Sequence, residues 1–354
     1  MISKVKIIGS GLIGTSIGLA LKSAKIKLEM VDLDPNSAKL ANDLVGGVNL
    51  TEPEVVIVSA PISNNLELIL KSLKLYPEAI VIDIASVKSN LSLKVAELSA
   101  NTQNFISSHP MAGREVSGTQ SARADLFSGR AWIGIKSANS SERSTKLLAE
   151  IVEICGATLY WVEEVDHDKL VAAISHLPQV LSTTLANLVG NLDGRSLNLS
   201  GQGLRDMLRL SSSNGQLWSQ LMIANKSSLS SEIDKFLELL TKFNDAIKSE
   251  NYKEIETSFN AGNLANEKIP GKHGLKIRKY SYLPIVIMDE PGQLAKIFNE
   301  CAQINVNIED LSIEHSPGQQ TGLITLALNQ NDAERLFIHL KSTGWNVHEV
   351  KVDK

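Results

Sequence analysis

The first 160 residues alternate short apolar runs, rich in Val and Ile, with longer stretches of helical spacing. The strand candidates are "KVKIIG", "KLEMVD", "VVIVSAP", "AIVIDIAS", "NFISSHP", "RAWIGIK" and "TLYWVEE". Stretches such as "LIGTSIGLALKSA" and "SNLSLKVAELSAN" lie between them. Continuous apolar runs, unlike alternating ones, predict strands buried on both faces. The expectation is an α/β domain built on a parallel sheet with helices on both sides.

The pattern changes near Val165. From there to about Asn266 it is helical, beginning with "DHDKLVAAISHLPQVLSTTLANLVG", where Pro178 predicts a kink. So much apolar helix in one stretch also predicts contact with a second copy of the chain. The basic segment "KIPGKHGLKIRK" reads as a linker. After it comes a compact unit. Strand "YLPIVIMD" leads to a helix opening at Pro291, then strands "VNIEDLSIEH" and "TGLITLAL", a helix ending at Gly344, and strand "WNVHEVKV". That βαββαβ order is ferredoxin-like.

Composition narrows the partners. A net charge of −4 gives no support for nucleic acid or an anionic membrane surface. No run of 18 apolar residues and no leader pattern is present, so the expectation is a cytoplasmic protein. Cys155 and Cys301 have no metal-ligand spacing and read as buried small hydrophobes; no metal site is expected.

Chemistry enters at "IIGSGLIGTSIG", where Gly9, Gly11 and Gly14 have G-x-G-x-x-G spacing. The motif follows a strand and opens a helix, the context that gives it meaning. Gly9 permits the tight turn, Gly11 lets backbone approach a pyrophosphate, and Gly14 lets helix and strand pack closely. The helix N-terminus supplies N–H donors for the phosphates. Asp32 ends the second strand, 18 residues after Gly14. A carboxylate there can bind both ribose hydroxyls and would repel a 2′-phosphate, which favours NAD over NADP. Asp34, two residues on, competes for that role. The cofactor set is Gly9, Gly11, Leu12, Ile13, Gly14, Asp32 and Ala60. The competing structural explanation is a tight turn with a strand-end cap.

His109 precedes Pro110 in "SSHPMAGREVSG", which forces it into extended geometry at the end of its strand. Open α/β sheets bind ligands at that edge. "DIASVK" brings Ser86 to the same edge. An imidazole there can take an alcohol proton as hydride leaves; equally, His109 could cap a turn and Ser86 a helix. Lys88 reads as a surface or cofactor-side residue. In the helical stretch His176 interrupts an apolar face, and Arg205 and Arg209 in "GQGLRDMLRLS" stand four apart. Such a pair suits a carboxylate, although Asp206 offers local pairing.

With these residues in view, residues 1–270 resemble the prephenate/arogenate dehydrogenase family of tyrosine biosynthesis. The resemblance rests on "GSGLIGTS", "VDLD", "DIASVK", "SHPMAGREVSG", "ADLFSGRAWI", "ISHLPQ" and "GQGLRDMLR", in that order. Residues 281–354 resemble an ACT domain, on "DEPGQLAKIF" and "NVNIEDLSI". The resemblance implies a Rossmann-type NAD-binding domain (1–163), a helical substrate and dimerisation domain (164–270), a linker (271–280) and an ACT regulatory domain (281–354). It implies NAD-dependent oxidative decarboxylation of prephenate to 4-hydroxyphenylpyruvate, with His109 taking the ring hydroxyl's proton and Ser86 orienting it. Arg209 binds a substrate carboxylate in this reading, with Arg205 beside it, and His176 lies near the substrate side chain. Gln179 is on the substrate side, at a position where some relatives carry histidine. In the ACT region it implies an amino-acid effector, tyrosine by pathway logic, with Asp289 and Gly292 as candidate contacts. The alternatives are arogenate dehydrogenase, and a non-catalytic NAD-binding amino-acid sensor.

Overall fold

The computed structural model describes residues 2–89, 91–113, 118–137, 140–269, 280–315 and 320–352. The linker reading over 271–280 falls almost wholly outside these residues, as do residues 114–117 of the His109 segment. The chain forms two compact units, Met1–Asn263 and Leu264–Lys354.

In the first unit the seven apolar runs form seven strands: β1 (Lys4–Ile8), β2 (Lys27–Val31), β3 (Val55–Val58), β4 (Ile80–Asp83), β5 (Phe105–Pro110), β6 (Ala131–Lys136) and β7 (Thr158–Glu163). They lie in the order β2-β1-β3-β4-β5-β6-β7. The first five are parallel, as their Val/Ile-rich sequences predict. The expectation of a wholly parallel sheet needs correction at β6, which runs antiparallel to β5, with β7 parallel to β6. The physical reason is the connection. A parallel neighbour needs a crossover helix, and no α-helix lies among the described residues between β5 and β6.

The helices of this half are α1 (Leu12–Ser23), α2 (Pro35–Val45), α3 (Ile62–Leu75), α4 (Leu91–Leu98) and α5 (Glu142–Ile154). Ile17 and Leu21 of α1, Val45 of α2 and Leu148 and Ile151 of α5 cover one face of the sheet. Ile69 and Leu73 of α3 and Val95 of α4 cover the other.

The rest of the unit is helical: α6 (Glu164–Val171), α7 (Leu177–Val189), α8 (Gly194–Leu197), α9 (Gln202–Leu208), α10 (Gly215–Ala224), α11 (Lys226–Lys248) and α12 (Tyr252–Asn266), whose last turn crosses the unit boundary. Val171 of α6 packs on Ile133 and Ile135 of β6 and anchors this half to the sheet. The irregularity expected at Pro178 lies just before it, as a π-turn over Ala172–His176. The Leu177 N–H reaches back five residues to the Ala172 carbonyl. Proline has no N–H to continue the ladder, so the strain is taken up in the preceding turn. His176 closes that turn.

The second unit contains β8 (Ser281–Met288), α13 (Gln293–Gln303), β9 (Asp310–His315), β10 (Thr321–Leu328), α14 (Gln330–Ser342), β11 (Asn346–Val347) and β12 (Lys351–Val352). Its sheet is small and antiparallel, in the order β11-β8-β10-β9, with β12 also against β8. Leu283, Ile285, Ile324 and Leu326 form its core with Ile297 of α13 and Leu336 and Leu340 of α14.

Candidate active site

The strand order reverses between β1 and β3, and in open sheets of this kind a ligand binds outside the carboxyl ends at such a switch point. The glycine turn and Ala60 both lie there. Gly9 has φ +105°, and a Cβ on it would strike the Ser59 carbonyl oxygen. A Cβ on Gly14 would strike the Gly9 carbonyl oxygen. Gly11 is different. Its φ of −74° suits any residue, and a Cβ there would meet open space. That space lies over the N-terminus of α1, whose first turn has no acidic residue. The first N–H groups of a helix have no partner within it, so Gly11, Leu12 and Ile13 form a cradle that fits an anion such as a pyrophosphate.

Asp32 is tied to this cradle. Its Oδ2 accepts the Ser10 N–H at 2.6 Å and its Oδ1 the Asp34 N–H at 2.9 Å. Asp34, the competing candidate, caps α2 by accepting from the N–H groups of Asn36 and Ser37 and from the Ser37 hydroxyl. Asp34 is thus committed to its helix, and Asp32 is the carboxylate tied to the glycine turn. Thr119 closes over the turn by donating its hydroxyl to the Ser10 carbonyl.

His109 lies buried near the end of β5, opposite Ile133 of β6. Ser86 follows β4 at the same edge, half-buried, and its hydroxyl has no partner among the described residues. Burial above all, then the nearby His167, Lys88 and His176, pushes the His109 imidazole well below its ordinary 6.5. It is therefore neutral at physiological pH, the form able to accept a proton.

The assignment of Lys88 to the surface is corrected. Its side chain is wholly buried, with Nζ 2.5 Å from Asp83 Oδ2 and 2.6 Å from the Ser108 carbonyl. Asp83 also accepts from Asn65 Nδ2, the Ala85 N–H and the Ser107 hydroxyl. A buried charge survives only when paired and hydrogen-bonded in this way. Lys88 thus binds the Ser86 loop to the strand that carries His109.

His176 is buried as well, edge-on to Trp218 with ring centroids 5.8 Å apart. Its Nδ1 lies 3.2 Å from Asn225 Nδ2, and the same nitrogen donates to the Asp168 carbonyl at 2.8 Å. Arg205 lies in α9, and Arg209 begins the 3₁₀ turn Arg209–Ser212 that follows; both are exposed. Asp206, the expected local partner, takes the Gln202 amide at 2.8 Å.

Residues 12–161 match the nucleotide-binding domain of prephenate dehydrogenase, and residues 163–261 match its dimerization domain. The chain belongs to the prephenate dehydrogenase family. A probable prephenate dehydrogenase of Streptomyces niveus is 25% identical over 353 residues, 96% of this chain and 98% of that one. Synechocystis arogenate dehydrogenase is 26% identical, with a TM-score of 0.65 over 75% of this chain and 99% of that one. The structure of prephenate dehydrogenase from A. aeolicus in complex with hydroxyphenyl propionate and NAD+ gives a TM-score of 0.69 at 23% identity, covering 76% and 99%, and that likeness is one of fold.

Within this prephenate dehydrogenase fold, Gln179, expected on the substrate side, also has a structural task. It is buried, with Nε2 donating to the Leu210 carbonyl at 2.8 Å and Oε1 facing the Ser213 hydroxyl at 3.4 Å. It holds the turn that carries Arg209. Sequence reasoning missed His167, Asp168 and Asn225. His167 Nε2 lies 3.1 Å from His109 Nδ1, and its Nδ1 lies 2.8 Å from Asp168 Oδ1. The available signal was "DHD", a histidine flanked by two carboxylates, nine residues before His176.

Proposed function

We propose that the chain catalyses the NAD-dependent oxidative decarboxylation of prephenate to 4-hydroxyphenylpyruvate. The observation that carries this reading is a buried, neutral His109 at the carboxyl edge of β5, in a chain of this family. NAD, held by the glycine turn, would supply the acceptor for the hydride on the ring carbon bearing the hydroxyl. His109 takes the hydroxyl proton as that hydride leaves. The ring carboxylate then departs as carbon dioxide, its bonding electrons make the ring aromatic, and His109 returns the proton to the ring oxygen. Atoms and charge balance, and aromatisation supplies the driving force. The protein's share is to orient and polarise.

The family resemblance suggests the remaining roles. Gly9, Gly11, Leu12, Ile13, Gly14 and Ala60 receive the dinucleotide, and Asp32 its ribose. Ser86 orients the hydroxyl, His176 meets the substrate side chain, and Arg205 and Arg209 bind substrate carboxylate. The domain division we favour is 1–163, 164–270 and 281–354, joined by 271–280. A homodimer through the helical region is supported by the matched dimerization domain and by exposed Leu188, Ile223, Leu239 and Phe259. No helix among the described residues is long and apolar enough to cross a membrane; we favour a cytoplasmic site.

For the second unit we favour an ACT domain with an amino-acid effector, tyrosine first. Support comes from its βαββαβ order. Gly292, at φ +88° before α13, and Asp289 shape the loop where the effector would bind.

Arogenate is the second substrate reading, favoured by the Synechocystis likeness. The test is NADH or NADPH formation with prephenate and arogenate in parallel, with NAD and NADP, with and without tyrosine. Turnover of prephenate with NAD is expected. Activity with arogenate alone would replace the substrate, and activity with no pair would favour the sensor reading.

A further inference from the structure

The hydrogen-bond chain behind His109 decides which of its ring nitrogens can act as a base. A neutral imidazole has one N–H and one lone pair, and an ionised carboxylate can only accept. Asp168 is held as a carboxylate. Its Oδ1 accepts the Lys88 N–H at 2.9 Å and its Oδ2 the Ser89 N–H at 2.8 Å. Burial works to raise its pKa, but the hydrogen bonds from His167 and those two N–H groups outweigh burial and leave it lowered. His167 Nδ1, 2.8 Å from Oδ1, must therefore carry the proton. His167 is wholly buried, and burial keeps its ring neutral, helped by the Lys88 ammonium. Its lone pair is then on Nε2. His109 Nδ1, 3.1 Å away, has to be the donor in that contact. The proton of His109 is thus accounted for, and its Nε2 is left bare.

We propose that His167 and Asp168 are a positioning pair that locks His109 in its Nδ1–H tautomer, making Nε2 a standing base. The pair also accepts part of the positive charge when Nε2 takes a proton, because His109 Nδ1–H points at a ring that is itself hydrogen-bonded to a carboxylate. The Lys88 and Ser89 N–H groups that fix Asp168 belong to the loop following Ser86. One carboxylate therefore sets both the tautomer of the base and the position of the loop beside it.

His176 provides an internal contrast. Asn225 Nδ2 faces the Asp168 carbonyl and so must be the amide nitrogen. His176 Nδ1 accepts from it, and Nε2 carries the hydrogen. Two histidines of one site are held in opposite tautomers, one to accept a proton and one to donate a hydrogen bond.

The proposal deepens the reading of His109 as base and rests on it. Histidine-selective ¹⁵N labelling and two-bond ¹H–¹⁵N correlation NMR of the full chain, with signals assigned through single-histidine substitutions, read the tautomers without any turnover. The expected result is Nδ1–H for His109 and His167 and Nε2–H for His176. An Nε2–H signal from His109 overturns the proposal. In kinetics, His167→Phe removes the acceptor, and kcat should fall at least about tenfold with the KM for NAD unchanged. His167→Gln, whose side-chain oxygen can accept from His109 Nδ1, should recover part of that loss. Full kcat in His167→Phe overturns the proposal. Full turnover in His109→Asn would instead sink the base reading, so the two failures are distinguishable.

Discussion

The Lys88 ammonium and the Asp83 carboxylate face each other at 2.5 Å, and neither side chain reaches solvent. Breaking such a pair leaves one charge buried without its partner. Lys88→Met should therefore cost about 3–5 kcal/mol of stability. Urea unfolding of the variant against the parent protein measures this, and a loss well under about 1 kcal/mol would show that water reaches Asp83.

His109→Asn should keep NAD binding nearly intact and cut turnover by at least about 10²-fold. Cofactor binding followed by fluorescence, beside steady-state NADH formation, separates the two effects. Near-normal turnover would contradict the base assignment.

The pH dependence follows from three buried imidazoles. Burial pushes His109, His167 and His176 below the ordinary 6.5, and the unfolded chain titrates near that value. As the pH falls through 6.5 the unfolded state takes up protons that the folded state refuses. Stability is then full above about pH 6.5 and declines below it, until the folded-state groups themselves protonate. Urea midpoints across this range test the sign. The acid limb of kcat/KM should likewise lie well below 6.5; a limb centred on 6.5 would mean an exposed base.

The glycine turn gives a paired prediction. Gly14→Ala places a methyl against the Gly9 carbonyl and should destabilise the fold. A Cβ at Gly11 meets only open space, so the thermal midpoint of Gly11→Val should hold, while NAD affinity falls at least about tenfold. An unchanged affinity in Gly11→Val would remove the pyrophosphate from this cradle.

Arg209→Ala should raise the KM for prephenate at least about tenfold and leave kcat nearly unchanged, the mark of lost uniform binding. A fall in kcat alone would point to a structural role for the turn that Gln179 holds.

Local interactions were legible along the chain. The glycine turn, the seven strands and the helical stretch after Val165 depend on near neighbours: a positive φ, an apolar run, the absence of strand spacing. His109 at a strand end follows from Pro110, again a local effect. The turn of β6 against β5 was not legible, because apolar runs record burial and not direction. Nor was the burial of Lys88, which requires Asp83, Ser107 and Ser108 from two strands to surround it. The chain from His109 through His167 to Asp168 joins residues 58 positions apart. "DHD" has no fixed meaning on a helix face until folding sets it against the end of β5. Residue types and spacing thus announced a cofactor turn and a histidine at its edge. Which nitrogen of that histidine is free depends on hydrogen bonds that exist only once distant segments meet.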